Sequence, residues 1–168
     1  MKKTLSLILA LTLICGVFSA CDIGKTPSES VGLEYEVNPD GKTCTITGIG
    51  TCKDTDLVIP STIDGYSVTR IGYMAFYNCS ELMSLIVPDS VTGIGNAAFR
   101  DCSGLTSITI PDSVTSVGDY AFAWCDSLTS IMFNGTKVQW NYFIRKGSYW
   151  NNNTGDYTIH CADGDLKK

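Results

Sequence analysis

The chain has 168 residues, of which 44% are hydrophobic and 17% are charged, and its formal net charge is −5 at pH 7. Loss of Lys2 and Lys3 with a signal peptide would leave 10 basic and 17 acidic residues, a charge of −7. Phosphate backbones repel such a surface, so the composition argues against nucleic acid as a partner.

The first predicted element is a lipoprotein signal peptide over residues 1–20. A basic start at residues 1–3 precedes an apolar run at 5–17, and small residues precede Cys21. This order is typical of a lipoprotein signal. A transmembrane helix is the alternative, but it needs about 20 apolar residues, which is more than this run supplies. Cys21 is therefore the predicted lipid anchor, where two or more acyl chains would hold the protein stably on a membrane.

Residues 21–31 are predicted to form a polar tether, and residues 32–56 an N-terminal β cap. Within 32–56, apolar and polar side chains alternate on both sides of the turn sequence 38–41. This pattern predicts a β-hairpin that covers the first coil of the array that follows.

Residues 57–134 repeat one sequence at a period of 23 residues. Each copy has a branched aliphatic residue, a glycine, an Ala-Phe pair and a cysteine. The glycines are Gly72, Gly95 and Gly118, the phenylalanines are Phe76, Phe99 and Phe122, and the cysteines are Cys79, Cys102 and Cys125. Repetition at this length is typical of a solenoid, in which each unit contacts only its neighbours.

Each copy ends in a pattern typical of a short strand. Ile108 and Ile110 are predicted to face inward, whereas Ser107 and Thr109 face outward. A proline follows at position 111, and proline ends a strand because it cannot donate to the ladder. Stacked copies therefore predict a parallel β-sheet. The first copy carries five extra residues at 63–67, which are predicted to bulge as a turn.

Two copies share a longer pattern that is specific to one family. From Pro88 and from Pro111 the chain reads Pro-Asp-Ser-Val-Thr-x-(Ile/Val)-Gly-x-x-Ala-Phe-x-x-Cys-x-x-Leu-x-x-Ile. This pattern resembles the 23-residue leucine-rich repeat of BspA-like bacterial surface proteins. The resemblance implies a solenoid with a concave parallel sheet, and it implies no catalytic residues.

Residues 135–168 are predicted to form a C-terminal cap. The repeat pattern is lost after Phe133, and the aromatic side chains that follow, Trp140 and Trp150 among them, are predicted to seal the last coil. Residues 157–161 predict a terminal strand. Alternation along that strand places His160 on the surface, and we interpret it as an isolated surface histidine.

The eight cysteines do not predict a dense disulfide framework. Cys79, Cys102 and Cys125 are equivalent, so they are expected to form an inward column of free thiols that act as small hydrophobic groups. Cys44 and Cys52 flank a turn that contains glycine. They either form a disulfide in an oxidising compartment or remain free thiols.

No catalytic, cofactor or metal site is predicted. The phosphate-loop spacing lacks its first glycine, and the single histidine has no partner at a zinc-ligand spacing. No Gly-x-Ser-x-Gly sequence is present. We therefore do not interpret the protein as an enzyme.

The candidate binding site is the outward face of the predicted sheet. One set of equivalent positions is rich in hydroxyl groups and contains Ser84, Ser107 and Ser130. The other contains apolar residues, and Met83 lies beside it; its members are Val58, Ile86, Thr109 and Met132. Exposed apolar patches often mark interaction sites. The alternative is that these residues only stabilise the sheet, or that a neighbouring domain covers them.

These features predict a membrane-anchored, extracytoplasmic lipoprotein of the cell envelope or cell surface. Its expected function is the binding of protein or glycan partners, because the resemblance suggests adhesion or a related interaction. The alternative is a structural scaffold module of an envelope assembly that has no dedicated ligand.

Overall fold

The computed structural model describes residues 29–144 and 149–167. The predicted signal peptide at 1–20, the predicted lipid anchor Cys21 and residues 22–28 of the predicted tether lie outside the described residues. Among the residues that are described, no helix has the length and apolar character needed to cross a membrane.

The described chain contains twelve short strands and one helix. In chain order the elements are β1 (Glu34–Val37), β2 (Thr43–Gly48), β3 (Asp56–Val58), β4 (Thr62–Ile63), β5 (Tyr66–Ile71), β6 (Ser84–Ile86), β7 (Gly93–Ile94), β8 (Ser107–Ile110), β9 (Ser116–Val117), β10 (Ser130–Phe133), α1 (Lys137–Ile144), β11 (Thr158–Cys161) and β12 (Gly164–Lys167). They form two sheets. The main sheet has the order β12-β11-β10-β8-β6-β3, and the second sheet has the order β1-β2-β5-β7-β9, with β4 paired to β5.

The predicted parallel sheet is confirmed in the main sheet. Strands β3, β6, β8, β10 and β11 are all parallel, and β12 closes one edge as an antiparallel strand. Ser84 pairs with Ser107, which pairs with Ser130, so equivalent residues of neighbouring repeats lie side by side. This register follows from the 23-residue period, because identical sequences place identical backbone groups at the same height in each coil.

The core lies between the two sheets and contains a column of phenylalanine rings. Phe99 stacks on Phe76 with ring centroids 5.0 Å apart, and on Phe122 with centroids 5.3 Å apart. All three side chains are fully buried. Each ring therefore fills space between two coils, which explains why a single repeat cannot bury its own apolar face.

The turns that contain the Ala-Phe pairs are joined from coil to coil by backbone hydrogen bonds. The amide of Phe76 donates to Ala98 O (2.8 Å), and the amide of Phe99 donates to Ala121 O (2.8 Å). Residues at two equivalent positions have a left-handed backbone; they are Met74, Ala97 and Tyr120 (φ 53–57°), and Asn78, Asp101 and Trp124 (φ 58–62°). Left-handed backbone is unfavourable for such residues, and the bonds between coils stabilise it here.

Glycine in each copy permits the coils to approach closely. A Cβ atom on Gly95 would lie 2.7 Å from the carbonyl carbon of Gly72, and one on Gly118 would lie 2.6 Å from that of Gly95. Neither glycine has a positive φ. The sequence therefore needs glycine at this position for space between backbones rather than for an unusual backbone conformation.

Two hairpins lie at the N-terminal end of the second sheet. Strands β1 and β2 form an antiparallel pair, and β2 then pairs in parallel with β5. The five extra residues at 63–67 do not only bulge as a turn, because β4 and β5 pair across Asp64 and Gly65. The hydroxyl of Tyr35 donates to Asp64 Oδ2 (2.6 Å), and this bond joins the two hairpins.

The C-terminal segment adds a further coil to the array. Strand β11 continues the main sheet beside β10, and the amide of Phe122 donates to Trp150 O (2.8 Å) just as Phe99 donates to the coil after it. Trp150 contacts the ring of Phe122 edge-on, and Trp140 contacts Phe133 in the same way. Both tryptophans are buried, so they close the apolar core at this end.

The six cysteines in the described part of the chain are free thiols. The structure therefore does not pair Cys44 with Cys52. Cys102 and Cys125 are fully buried, as predicted for the inward column, whereas Cys79 is only partly buried.

Candidate partner-binding surface

The candidate site is the outward face of the main sheet. Side chains alternate along each strand, so Ile108 and Ile110 of β8 are buried while Ser107 and Thr109 point away from the core. The same alternation holds in β10, where Met132 is exposed between buried Ile131 and Phe133. The strands thus present one outward side chain for every inward one.

The strand register arranges the outward side chains in two rows. The hydroxyl row consists of Ser84, Ser107 and Ser130, and Asp56 precedes it on β3. The apolar row consists of Val58, Ile86, Thr109 and Met132. Met83 directly precedes Ser84, the first residue of β6. The structure therefore brings the candidate residues of the four strands onto one face, in the order that the repeat predicts.

The members of the apolar row differ in exposure. Met132 is 46% exposed and Met83 is 52% exposed, whereas Val58, Ile86 and Thr109 are partly buried. Met83 is held by its backbone, since its carbonyl accepts hydrogen bonds from the amide (2.8 Å) and the hydroxyl (2.9 Å) of Thr106. The two methionines therefore provide most of the accessible apolar surface, and their thioethers can adapt to a partner's shape.

The hydroxyl row begins at an acidic residue. The hydroxyl of Ser84 donates to Asp56 Oδ1 at 2.5 Å. Because Asp56 is exposed, its other carboxylate oxygen is available to a partner. This end of the face therefore offers a negative hydrogen-bond acceptor next to the apolar row.

Both rows extend one strand further than the repeat pattern predicts. Strand β11 places His160 beside Met132 in the apolar row, and Thr158 beside Ser130 in the hydroxyl row. The Nδ1 atom of His160 lies 2.9 Å from Asp165 Oδ1 on β12. His160 is thus on the surface as predicted, but it belongs to the candidate face. This extension has a trace in the sequence, because Thr-Ile-His-Cys resembles the strand Ser-Ile-Met-Phe. The resemblance is concealed because the two segments are separated by more than the 23-residue period.

Within 29–144 and 149–167, no three His, Cys, Asp or Glu side chains are grouped so that they could hold a metal ion. An open pocket of about 300 Å³ lies between residues 49–55 and 78–82, next to the starts of β3 and β6.

Comparison with known proteins matches the described fold. Over residues 50–154 the chain matches the BspA-type leucine-rich repeat region, with six copies of the repeat. A search of curated proteins found no match.

Several solved bacterial structures are similar. The leucine-rich repeat protein of T. pallidum is 31% identical, with a TM-score of 0.59 over 66% of this chain and 56% of that one. The leucine-rich repeat protein of Bacteroides capillosus is 28% identical, with a TM-score of 0.62 over 79% of this chain and 99% of that one. A leucine-rich cell surface protein of Faecalibacterium prausnitzii is 30% identical, with a TM-score of 0.52 over 65% of this chain and 34% of that one.

The chain thus spans just over half of the T. pallidum protein and about a third of the F. prausnitzii protein. The family match extends over more than half of the chain and contains the stacked phenylalanines, the glycines at close contacts and four strands of the main sheet. The chain belongs to the family of bacterial proteins with BspA-type leucine-rich repeats.

Proposed function

We propose that this protein is a cell-surface or extracytoplasmic module that binds protein or glycan partners through the outward face of the main sheet. The observation that carries the proposal is the exposure of Met132 on this face, together with that of Met83 directly before β6. Burying exposed apolar surface is favourable by about 25 cal/mol per Å², so a partner that covers these side chains gains binding energy.

The chemistry of the face favours binding over catalysis. Leucine-rich repeat proteins are typically interaction modules, and the flat parallel strands expose rows of equivalent side chains to a partner. The hydroxyl row supplies hydrogen-bond donors and acceptors, and the apolar row supplies the desolvated contact. This pairing of an apolar centre with polar neighbours is the arrangement that protein interfaces use.

We further propose that the protein is anchored in the cell envelope by a lipid on Cys21. The support comes from the sequence, where small residues precede Cys21 after a short apolar run. The F. prausnitzii relative is described as a cell surface protein, which agrees with export of this chain. Such an anchor would present the array to partners outside the cytoplasmic membrane.

The decisive experiment replaces two apolar side chains of the apolar row without disturbing the strands. In the double variant Ile86→Thr/Met132→Thr, both positions acquire the residue that Thr109 already provides in the same row. Wild-type and variant proteins spanning residues 22–168 are immobilised and exposed to envelope proteins, host extracellular proteins and a glycan array. We expect capture to fall by about tenfold or more, because a central apolar contact often supplies over 1.4 kcal/mol of binding energy.

A matched control removes exposed apolar side chains elsewhere. Val37 and Val138 are 45% and 76% exposed, and neither lies on the main sheet. The variant Val37→Thr/Val138→Thr should retain capture. Unchanged affinity in Ile86→Thr/Met132→Thr would refute the proposed face and direct attention to residues 64–67 or the aromatic C-terminal segment. If the wild-type protein captured no partner at all, the scaffold alternative would be favoured.

A further inference from the structure

Four cysteines, rather than three, lie in corresponding turns of successive coils. In each coil the cysteine amide donates to the carbonyl three residues earlier: Cys52 to Ile49 (3.1 Å), Cys79 to Phe76 (3.3 Å), Cys102 to Phe99 (3.4 Å) and Cys125 to Phe122 (3.4 Å). Cys52 thus lies in the corresponding turn of the coil before Cys79, although Thr51 lacks the left-handed backbone that Asn78, Asp101 and Trp124 share. The sequence concealed this because Cys52 and Cys79 are 27 residues apart, not 23.

The thiols of the two inner cysteines, Cys102 and Cys125, have hydrogen-bond partners and are not accessible to solvent. The thiol of Cys102 donates to Phe76 O (3.1 Å), and the thiol of Cys125 donates to Phe99 O (3.2 Å). Both side chains are fully buried. Burial raises the pKa of the Cys102 thiol, and it raises the pKa of Cys125 to about 12, so neither forms the reactive thiolate readily.

Cys52 and Cys79 have a different environment. Both line the open pocket between residues 49–55 and 78–82, and Cys79 is only partly buried. Among the described residues, neither thiol has a hydrogen-bond partner equivalent to those of Cys102 and Cys125. Cys52 is 7% exposed and burial raises the pKa of the Cys79 thiol, so the open pocket that both residues line is what distinguishes this pair from the inner pair.

The pocket exists because the ladder between coils is interrupted here. Between the next two coils, the amide of Asn78 donates to Arg100 O (2.9 Å). The corresponding amide in the first coil, that of Thr51, donates instead to Gly32 O (2.9 Å). No backbone hydrogen bond joins residues 49–54 to residues 78–82 in the described chain, and the two coils are next joined where the amide of Met83 donates to Thr55 O (2.7 Å).

On both sides of the pocket the two coils remain at strand spacing. Leu57 of β3 pairs with Leu85 of β6, and the amide of Gly72 donates to Ile46 O (2.8 Å). Where the coils pair they lie about 4.8 Å apart, and closure of the pocket to that spacing would bring the two cysteine Cα atoms within the usual separation of about 4.4–6.8 Å for a disulfide. We propose that Cys52 and Cys79 form a disulfide in an oxidising compartment and thereby link the N-terminal cap to the first repeat.

The bond forms by exchange with an external low-molecular-weight disulfide. The thiolate of one cysteine attacks a sulfur of that disulfide, which gives a mixed disulfide and releases one thiolate. The second cysteine then attacks the protein-bound sulfur, forms the Cys52–Cys79 bond and releases the second thiolate. Two electrons pass to the external disulfide, and the two protons lost by the cysteines end on the released thiols.

The test uses the full chain and glutathione disulfide as the oxidant. After equilibration in glutathione buffers, free thiols are alkylated and the protein is digested with trypsin. Cleavage after Lys42, Lys53, Arg70 and Arg100 places Cys52 on peptide 43–53 and Cys79 on peptide 71–100. We expect these two peptides to be joined by a reducible bond, with Cys102 and Cys125 alkylated only after denaturation.

The matched control uses the other cysteine on the same peptide. Cys52→Ser should abolish the link, whereas Cys44→Ser should retain it, since Cys44 lies in β2 with its thiol near Tyr66 O (3.8 Å). The proposal is overturned if Cys44→Ser loses the link instead, or if Cys79 is joined to peptide 101–137. It is also overturned if folded wild-type protein keeps both thiols alkylatable in the most oxidising buffer.

Discussion

The rings of Phe76 and Phe99 lie almost parallel, with centroids 5.0 Å apart and planes within 3°. Parallel rings at this distance are typical of stacked aromatic pairs, which add about 0.5–1.5 kcal/mol beyond the burial of their area. Because Phe99 also stacks on Phe122, one side chain contributes to two coil interfaces. The stability of the array is therefore concentrated in its central rings.

Replacing Phe99 with alanine should destabilise the protein by about 3–5 kcal/mol, through lost burial and the cavity left between two coils. Urea denaturation, with the unfolding free energy extrapolated to water, measures the effect. Tyr73→Ala is the control, because that aromatic side chain is 70% exposed. A loss for Phe99→Ala no larger than the loss for Tyr73→Ala would mean that the ring column does not hold the coils together.

Tyr35 should make stability depend on pH in alkaline solution. The hydrogen bond to Asp64, with some help from burial, raises the pKa of Tyr35 to about 12. The pKa of an unfolded tyrosine is about 10, so the folded state holds this proton more tightly. The contribution to stability is therefore complete below about pH 10 and is lost as pH rises to about 12.

The measurement compares wild type with Tyr35→Phe over that range. The difference in unfolding free energy between the two should shrink as pH rises, because the variant has no phenol to ionise. Tyr73→Phe, which changes an exposed tyrosine, should keep a constant difference from wild type. If the Tyr35→Phe difference stayed constant as well, the bond to Asp64 would not couple ionisation to folding.

Thr154 should be the functional equivalent of a column cysteine in the last coil. Its hydroxyl lies 3.0 Å from Phe122 O, the counterpart of the contact that the thiol of Cys125 makes with Phe99 O, and 2.7 Å from Asn151 O. Thr154→Val keeps the shape and removes the donor, so we expect a loss of about 0.5–1.5 kcal/mol. Thr154→Cys restores a donor and should lose less. Thermal unfolding of both variants decides this, and a cysteine variant less stable than the valine variant would contradict the equivalence.

Cys21 should carry the lipid that anchors the protein. Wild-type protein expressed in a bacterium should partition into detergent and have the intact mass of a diacylated chain, whereas Cys21→Ser should remain in the aqueous phase. Cys44→Ser serves as the control, because it removes a cysteine that lies within β2. Equal detergent partitioning of Cys21→Ser and wild type would rule out lipidation at this residue.

The repeat pattern was sufficient to predict that the repeats stack to form a parallel sheet, and that Thr109 and Met132 point outward. These predictions succeeded because three near-identical segments must form near-identical coils, and the period then sets which residues lie side by side. The alternation along each strand then determines which of these residues face the core. No long-range information is needed for either step.

Relationships between segments of different length required the tertiary structure. Cys52 corresponds to Cys79 at a spacing of 27 residues, and Thr158 pairs with Ser130 at a spacing of 28. An insertion changes the spacing in the sequence, yet the pairing of β3 with β6 and of β10 with β11 restores the register of the strands in space. A periodic pattern cannot reveal this, because the register at those places is decided by bonds between coils.

Exposure was also decided by the fold. Ile86 and Met132 are equivalent in the repeat, but Ile86 is partly buried while Met132 is 46% exposed. The sequence alone determined which side chains share a face, because alternation and period are local properties of the chain. Only the tertiary structure decided how much of each side chain a partner can reach, because solvent access depends on the side chains of neighbouring coils.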